Sequence, residues 1–159
     1  MRIAILVLLS ALAACGFQLR DEVRLPAGLT HLYLDVADPY SPLKRDLRAA
    51  LQRAGASLAA SAGEGVASVR IPVNAVTVEV LTVGGTARVQ EYLIRHVVEL
   101  EVIDAAGKTL LEKTRIELTR DYSFDETQAL GAQAEQDLIK QELERDMVQQ
   151  ILRRIEALN

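Results

Sequence analysis

The sequence predicts an α+β fold, a two-layer sandwich in which two helices cover one face of a four-stranded, mostly antiparallel sheet. Four segments alternate apolar and polar residues, the two-residue period of half-buried strands. Two other segments repeat apolar residues every three to four positions, the period of helices with one buried side. The order is β-α-β-β-β-α. Because three consecutive strands are joined by short turns and share a polar face, we expect an antiparallel sheet covered on one side only.

The chain opens with a short apolar leader that has the anatomy of a secretory signal. Met1-Arg2 supplies a minimal positive charge, and residues 3–14 contain Ser10 as their one polar side chain. The leader is too short to span a bilayer, which needs about 20 apolar residues. We therefore interpret residues 1–14 as a cleaved signal peptide and exclude them from the fold.

Cys15 is the only cysteine in the chain, and it directly follows Leu12-Ala13-Ala14. This arrangement resembles the bacterial lipobox, whose cysteine is S-acylated, becomes the new N-terminus after cleavage and is then N-acylated. One acyl chain holds a protein to a membrane only marginally, whereas three anchor it firmly. We expect residues 15–159 to form a single domain tethered through lipidated Cys15. The alternative is an ordinary secretory signal or a short anchor helix, with an incidental cysteine.

The mature chain is long enough for one domain with a real core, and its composition excludes some classes of partner. Cleavage removes one arginine, which leaves 17 basic and 22 acidic side chains. This acidic balance argues against binding of nucleic acid by the surface as a whole. With Cys15 acylated, no thiol remains for a disulfide or a metal.

The first two elements have clear boundaries. Residues 31–36 alternate and predict a strand. Ser41 is a good N-cap for a helix with Pro42 in its first position, and Gly55 ends that helix. Its apolar side is formed by Leu43, Leu47, Ala50, Leu51 and Ala54. We interpret the Ala-, Ser- and Gly-rich residues 57–68 as a surface loop.

Three long strands are predicted next. In the first, the apolar parity changes between Val73 and Val76, which predicts a β-bulge near Asn74-Ala75, and Pro72 fits best at this bulge or on an edge. Gly84-Gly85 predicts a tight hairpin turn, and Ala106-Gly107 predicts a second turn. The polar faces of the last two strands carry charges of both signs: Glu91, Arg95, Glu99, Glu101, Lys113, Arg115 and Glu117.

The last element is a long helix. Asp125 and Gln128 form a capping-box arrangement, and no proline interrupts the chain from there to about Leu158. Gly131 is costly in a helix interior, so the helix is expected to bend or to begin later. The predicted buried stripe consists of Ile139, Leu143, Met147, Val148, Ile151, Leu152 and Ile155.

The sequence offers no constellation that predicts catalysis. His96 lies among apolar residues and is expected to be a hydrogen-bonded core or rim histidine, and His31 has no neighbouring ligand. No cluster has metal-ligand spacing, and no nucleophile elbow or phosphate-binding glycine loop is visible. We therefore predict that the protein is not an enzyme and uses no cofactor and no metal.

Three features are candidates for binding. The hairpin tip, residues 83–88, places Arg88 beside Gly84 and Gly85. The first helix has a basic side, and the long hairpins leave sheet edges that can accept a strand of a partner. An ordinary turn and a solvated helix side are the alternative interpretations. The basic side consists of Lys44, Arg45, Arg48 and Arg53.

Five short motifs occur in order along residues 15–159: Cys15-Gly16-Phe17-Gln18-Leu19-Arg20, Asp38-Pro39-Tyr40-Ser41-Pro42-Leu43, Gln90-Glu91-Tyr92, Phe124-Asp125-Glu126 and Glu135-Gln136-Asp137-Leu138. Together with the lipobox and the element order, they resemble the LPS-assembly lipoprotein family LptE. The resemblance implies an outer-membrane lipoprotein, lipid-anchored on the periplasmic side. It also implies a plug in the lumen of the β-barrel LptD, which the protein helps to assemble for lipopolysaccharide transport to the cell surface.

The implied partners are an LptD-like barrel in a heterodimer, lipopolysaccharide, and the membrane through the acyl chains on Cys15, but no nucleic acid. Gly16 is consistent with sorting to the outer membrane. Family members are thought to contact lipopolysaccharide phosphates through basic residues, and Gly84, Gly85 and Arg88 are the candidate contact residues here. The start of the last helix, Leu130-Gly131-Ala132, has no basic residue. The alternative function is a lipid-binding or accessory lipoprotein of another envelope transport complex.

Overall fold

A computed structural model describes residues 25–83, 89–123 and 129–158 of the chain. The predicted α+β sandwich is confirmed, with five strands instead of four. The leader 1–14, Cys15, the capping box at Asp125 and the hairpin tip lie outside the described residues. The elements are a 3₁₀ helix Ala27–Leu29, β1 His31–Val36, α1 Pro42–Arg53, β2 Ser57–Leu58, β3 Ala67–Val83, β4 Val89–Ile103, β5 Thr109–Ser123 and α2 Ala129–Glu156.

The sheet is mixed, with the order β2-β1-β3-β4-β5. Strand β1 is parallel to both of its neighbours, whereas β3, β4 and β5 form the predicted antiparallel meander. The turn between β4 and β5 is the predicted one. Asp104 Oδ1 accepts hydrogen bonds from the backbone N–H groups of Ala106 and Lys108, each at 2.9 Å, and Gly107 has a φ of +83°. In that left-handed region a glycine avoids the strain that a side chain causes.

The prediction of a surface loop over residues 57–68 was wrong at both ends, since Ala67 and Ser68 already belong to β3. Ser57 and Leu58 form β2, which pairs with His31 and Leu32 of β1. The backbone N–H of Ser57 donates to the Thr30 carbonyl at 2.8 Å, and that of Ala59 donates to Leu32 at 2.9 Å. A strand of two residues has no readable alternation, so only its tertiary pairing defines it.

Helix α1 forms where its capping residues predict it. The Ser41 hydroxyl accepts a hydrogen bond from the Lys44 N–H at 3.3 Å and donates one to the Asp38 carbonyl at 2.8 Å. Pro42 occupies the first turn, where its missing N–H leaves no helical bond unmade. Gly55, with a φ of +91°, ends the helix. The buried residues of α1 are Leu43, Leu47, Ala50 and Leu51, whereas Ala54 lies at the C-cap.

The predicted bulge in β3 exists, but it lies closer to the N-terminus than Asn74-Ala75. Arg70 pairs with Glu101 and Val73 pairs with Glu99, so two residues of β3, Ile71 and Pro72, stand opposite one residue of β4. Pro72 has no N–H to donate, and a bulge is where a sheet tolerates that loss. The extra residue moves the apolar parity of β3 from odd positions before the bulge to even positions after it.

Two hydrophobic clusters lie between the sheet and the helices. The main cluster joins α1, β1, the first part of β3 and the C-terminal half of α2. A smaller cluster lies toward the hairpin end and joins Ile94 of β4, Tyr122 of β5 and Leu143 of α2. Helix α2 bridges both because its 28 residues extend about 42 Å. The predicted stripe is confirmed, with Ile139 half-buried and the other six residues buried.

Truncation of this stripe is expected to destabilise the domain strongly. Ile151 is fully buried in the main cluster, so Ile151→Ala leaves a cavity and should cost about 2–5 kcal/mol of unfolding free energy. Leu138→Ala removes a side chain from the same helix that is 51% exposed, and should change stability by no more than about 0.5 kcal/mol. Chemical denaturation of the purified proteins measures both, and equal midpoints for the two variants would contradict the packing of α2 described above.

Candidate interaction surface

The face of the sheet that carries no helix is a surface of paired charges, which we call the ion-pair face. Residues directly opposite each other on neighbouring strands share a face, and the register aligns Glu99 with Arg115 and Arg70 with Glu101. Strands β1, β3, β4 and β5 contribute to this surface. Its ion-paired residues are Asp35, Arg70, Glu79, Arg95, Glu99, Glu101, Lys113, Arg115 and Glu117.

Arg95 lies at the centre of one group of these residues. Its guanidinium contacts both carboxylate oxygens of Glu79, Nε to Oε1 at 3.2 Å and Nη2 to Oε2 at 3.3 Å, and it also donates to Glu117 from Nη1. Glu117 accepts a further hydrogen bond from Arg115 Nη2 at 2.7 Å. A guanidinium holds a carboxylate in such a two-point arrangement with defined geometry. Three neighbouring strands are thereby linked across their polar face.

These contacts keep the carboxylates charged. The hydrogen bonds from Arg95 lower the pKa of Glu79, and those from Arg115 and then Arg95 lower the pKa of Glu117, below the ordinary value of 4.5. Because both pKa values are lowered in the folded state, the stabilisation is complete above pH 4.5 and is lost as the pH falls below it. Both side chains are exposed to solvent, so the gain in folding free energy is small. Glu79 and Glu117 therefore remain ionised at neutral pH.

A second group surrounds Arg70. Its Nη1 atom donates to Glu101 Oε2 at 3.0 Å, and its Nε atom lies 3.8 Å from Asp35 Oδ2. Lys113 lies 3.9 Å from Glu99.

The ion pairs of this face join five carboxylates and four cations. The register also places Glu91 and Asp121 on this face, so seven carboxylates stand against four cations and the surface is acidic. Such a surface offers many hydrogen-bonding groups, which suits a wet, polar contact.

The two histidines do not form a reactive site. His96 is only 1% exposed, and its Nε2 atom lies 2.8 Å from Asn74 Oδ1. Burial lowers the pKa of His96, which keeps the ring neutral. The prediction of a hydrogen-bonded core histidine is confirmed. His31 Nδ1 lies 2.7 Å from Ser57 Oγ, and no group of three potential metal ligands exists in the described part of the chain.

The other predicted binding residues lie apart from the ion-pair face. Cys15, Gly84, Gly85 and Arg88 fall outside the described residues, so the structure brings none of them to a described site. On α1, Arg45 is paired with Asp46 at 2.7 Å, which partly neutralises the predicted basic side. Lys44 and Arg48 line a shallow groove with Tyr33 at the edge of the sheet.

The pairing on the ion-pair face was not predicted. The sequence predicted charges of both signs on the polar sides of β4 and β5, but it missed the contributions of Asp35, Arg70 and Glu79. The signal was present as polar residues at alternate positions of β1 and β3. Their partners depend on the strand order and on the bulge. Within residues 25–83, 89–123 and 129–158, no helix has the length and apolar character needed to cross a membrane.

Solved structures share this fold. A solution NMR structure of an uncharacterized lipoprotein B from Nitrosomonas europaea superimposes with a TM-score of 0.73 at 28% identity, covering 89% of this chain and 91% of the other. A crystal structure of the rare lipoprotein B from Shewanella oneidensis gives a TM-score of 0.70 at 25% identity, covering 80% of this chain and 94% of the other.

Sequence relatives agree with this likeness. The LPS-assembly lipoprotein LptE of Yersinia enterocolitica is 30% identical over 164 residues, which cover 98% of this chain and 77% of the relative. That of Pectobacterium atrosepticum is 28% identical over 148 residues, covering 92% and 79%. The family profile described as LptE, lipopolysaccharide-assembly, matches residues 29–155. The chain therefore belongs to the LptE family of lipopolysaccharide-assembly lipoproteins.

Proposed function

We propose that this protein is an outer-membrane lipoprotein that plugs an LptD-like β-barrel and helps to assemble it for lipopolysaccharide transport to the cell surface. The ion-pair face is the observation that carries the proposal. The lumen of a membrane barrel is polar, so a domain inserted there must present a polar, hydrated surface. An array of charged side chains, most of them paired with one another, meets this requirement.

The dimensions of the domain limit the barrels it can enter. Five strands spaced about 4.8 Å apart make a sheet about 20 Å wide, with a helical layer on one side. Barrels of about 8 strands are filled by their own side chains, and those of 16–18 strands enclose an aqueous channel. Plugged lumens are known in barrels of about 22 strands. The partner is therefore a barrel of the largest size class.

The position of the lipid anchor fits the same arrangement. Leu25 packs against the main hydrophobic cluster and precedes β1, which begins at the same end of the sheet as β3, and residues 16–24 connect Leu25 to Cys15. The hairpin residues 84–88 follow the other end of β3, about 53 Å away along the strand. An anchor in the inner leaflet then leaves the hairpin end directed away from the periplasm. Arg88 beside Gly84 and Gly85 is the proposed contact for lipopolysaccharide phosphates there.

A second candidate function is an accessory lipoprotein of another envelope transporter. The exposed side of α1 favours it, because Lys44, Arg48 and Arg53 lack an ion-pair partner among the residues that the structure describes. Free cations on a helix surface suit anionic lipid or an acidic protein. A pull-down from detergent-solubilised envelopes separates the two functions, since only the first requires recovery of a large β-barrel protein.

Reversal of the charge at the centre of the ion-pair face is expected to weaken barrel binding. Arg95→Glu places a third carboxylate beside Glu79 and Glu117, and like charges buried against a partner are costly. We expect about tenfold lower recovery of the barrel. Arg153→Glu, an exposed change on α2, is the control and should leave recovery unchanged. Equal recovery with both variants, at unchanged thermal midpoints, would contradict docking through this face.

Removal of the lipid should not abolish the complex. Because the folded domain is proposed to carry the recognition, Cys15→Ala exported behind a cleavable signal should still co-purify with the barrel. The acyl chains then serve to concentrate the domain at the membrane. Loss of the barrel from the Cys15→Ala pull-down, with the protein present in the periplasm at normal abundance, would assign the main role to the anchor.

Changes at the hairpin tip should impair lipopolysaccharide handling but not folding. Gly84→Ala, Gly85→Ala and Arg88→Glu together remove the glycines and reverse the positive charge that is proposed to meet phosphate. We expect weaker lipopolysaccharide binding by the purified protein and a more permeable outer membrane in cells. If both readouts equal those of the wild type, the tip is an ordinary turn.

A further inference from the structure

The sheet has two long edges with different properties. Strand β5 forms one edge over its whole length, because among the described residues it pairs with β4 alone. Strand β3 forms part of the other edge. Its pairing with β1 stops at Ile71, where the Ala37 N–H donates to the Ile71 carbonyl at 2.9 Å. Beyond the bulge, residues 73–83 pair with β4 alone among the described residues, and we call them the free edge of β3.

Apolar side chains on the free edge are left uncovered on the helix side of the sheet. Val76, Val78 and Val80 pair with His96, Ile94 and Tyr92 of β4 and therefore share their face. His96 and Ile94 are buried, yet the three valines are 45%, 39% and 51% exposed. The smaller hydrophobic cluster takes its side chains from β4, β5 and α2 and none from β3. The helices therefore cover β4 but not the neighbouring part of β3, so the three valines form an uncovered apolar strip along β3.

The edge of β5 is protected against strand addition, and the free edge of β3 is not. Six of the fifteen residues of β5 are charged, and charges are the usual means by which proteins block an edge. Residues 73–83 contain one charged side chain, Glu79, which is already neutralised by Arg95. They contain no proline or glycine and are rich in β-branched residues. The two edges therefore differ in their capacity to accept a strand.

The chemistry of the free edge favours a peptide strand over an acyl chain. An acyl chain would cover the valines, but it has no groups to pair with the backbone N–H and C=O groups along the edge, and excluding water from those groups is costly. A peptide strand satisfies both, with backbone hydrogen bonds along about 36 Å and apolar side chains at alternate positions beside the valines. Such a strand would lie beside β3 on the same edge as β1, beyond the point where the pairing with β1 ends at Val36.

We propose that the free edge of β3 is a docking site for an extended strand of the barrel partner, apolar at alternate positions on the helix side. This inference rests on the proposed function, because the barrel protein is the partner that supplies the strand. It differs from contact through the ion-pair face, since it requires backbone pairing on one edge.

The first test introduces the charge that the edge lacks. Val80→Lys in the full-length lipoprotein should lower recovery of the barrel from solubilised envelopes about tenfold, because a charge at a buried interface position opposes strand addition. Leu138→Lys is the matched control, since Leu138 is also 51% exposed but lies on α2. Both variants should keep the wild-type thermal midpoint, because both side chains are exposed.

The second test detects the backbone pairing itself. Hydrogen exchange of the purified lipoprotein, alone and in complex with the barrel, should slow at least tenfold at alternate amides of residues 73–83 on binding. Amides along the edge of β5 should keep their exchange rates. A readout on the backbone distinguishes an added strand from side-chain packing.

The outcomes separate the two proposals. If the wild type recovers the barrel but Val80→Lys recovers it equally, or if residues 73–83 gain no protection in the complex, the docking of a strand is wrong while the plug function stands. If the wild type recovers no barrel, the proposed function fails and the strand inference fails with it. If the protein alone shows the same protection in a concentration-dependent dimer, the edge binds a second copy, which also overturns the inference.

Discussion

Burial of one face of the sheet beneath two helices is the constraint on which the rest of the molecule depends. The apolar side chains of the sheet are buried mainly on one face, and α1 and α2 cover that face to complete the core. The opposite face must then remain in water or meet a polar partner. Nine of its charged residues form ion pairs with one another, and Arg70 and Arg95 each contact carboxylates on both neighbouring strands. The hydrophobic layer and the ion-pair face are thus two results of one arrangement.

The bulge at Ile71-Pro72 divides β3 into two parts with different surroundings. Before it, Val69 and Ile71 are buried in the main hydrophobic cluster, and β1 pairs alongside. After it, the apolar residues lie at even instead of odd positions and β1 no longer pairs with β3. Val76, Val78 and Val80 are exposed there. A single inserted residue therefore separates the part of the strand that stabilises the domain from the part that is available to a partner. Pro72 has no N–H group to donate to a neighbouring strand, and at a bulge the sheet does not require that hydrogen bond.

The proposed plug function accounts for the combination of these surfaces. A plug must be polar enough to sit in a lumen and must also be specific for one barrel. The ion-pair face meets the first need, since it is polar and charged, but side chains that are already paired with one another confer little selectivity. Backbone pairing along a defined edge, with three valines to be matched, specifies position and register. Val78 and Val80 lie on the helix side of β3 and Glu79 lies between them on the opposite side, so one partner at this edge can engage both surfaces.

Local patterns in the sequence determined the type and limits of most elements. The alternation in β1, the Ser41-Pro42 start of α1 and the stripe on α2 each depend on near neighbours in the chain, and each was predicted correctly. Strand β2, the position of the bulge and the partners of Arg70 and Arg95 depend on residues distant in sequence. Only the tertiary structure decided these, because strand order and register place side chains across a sheet and no local period records them. The exposure of Val76, Val78 and Val80 was not predicted for the same reason. Their alternate spacing is typical of a buried strand face, but they are exposed because the helices do not extend over this part of β3.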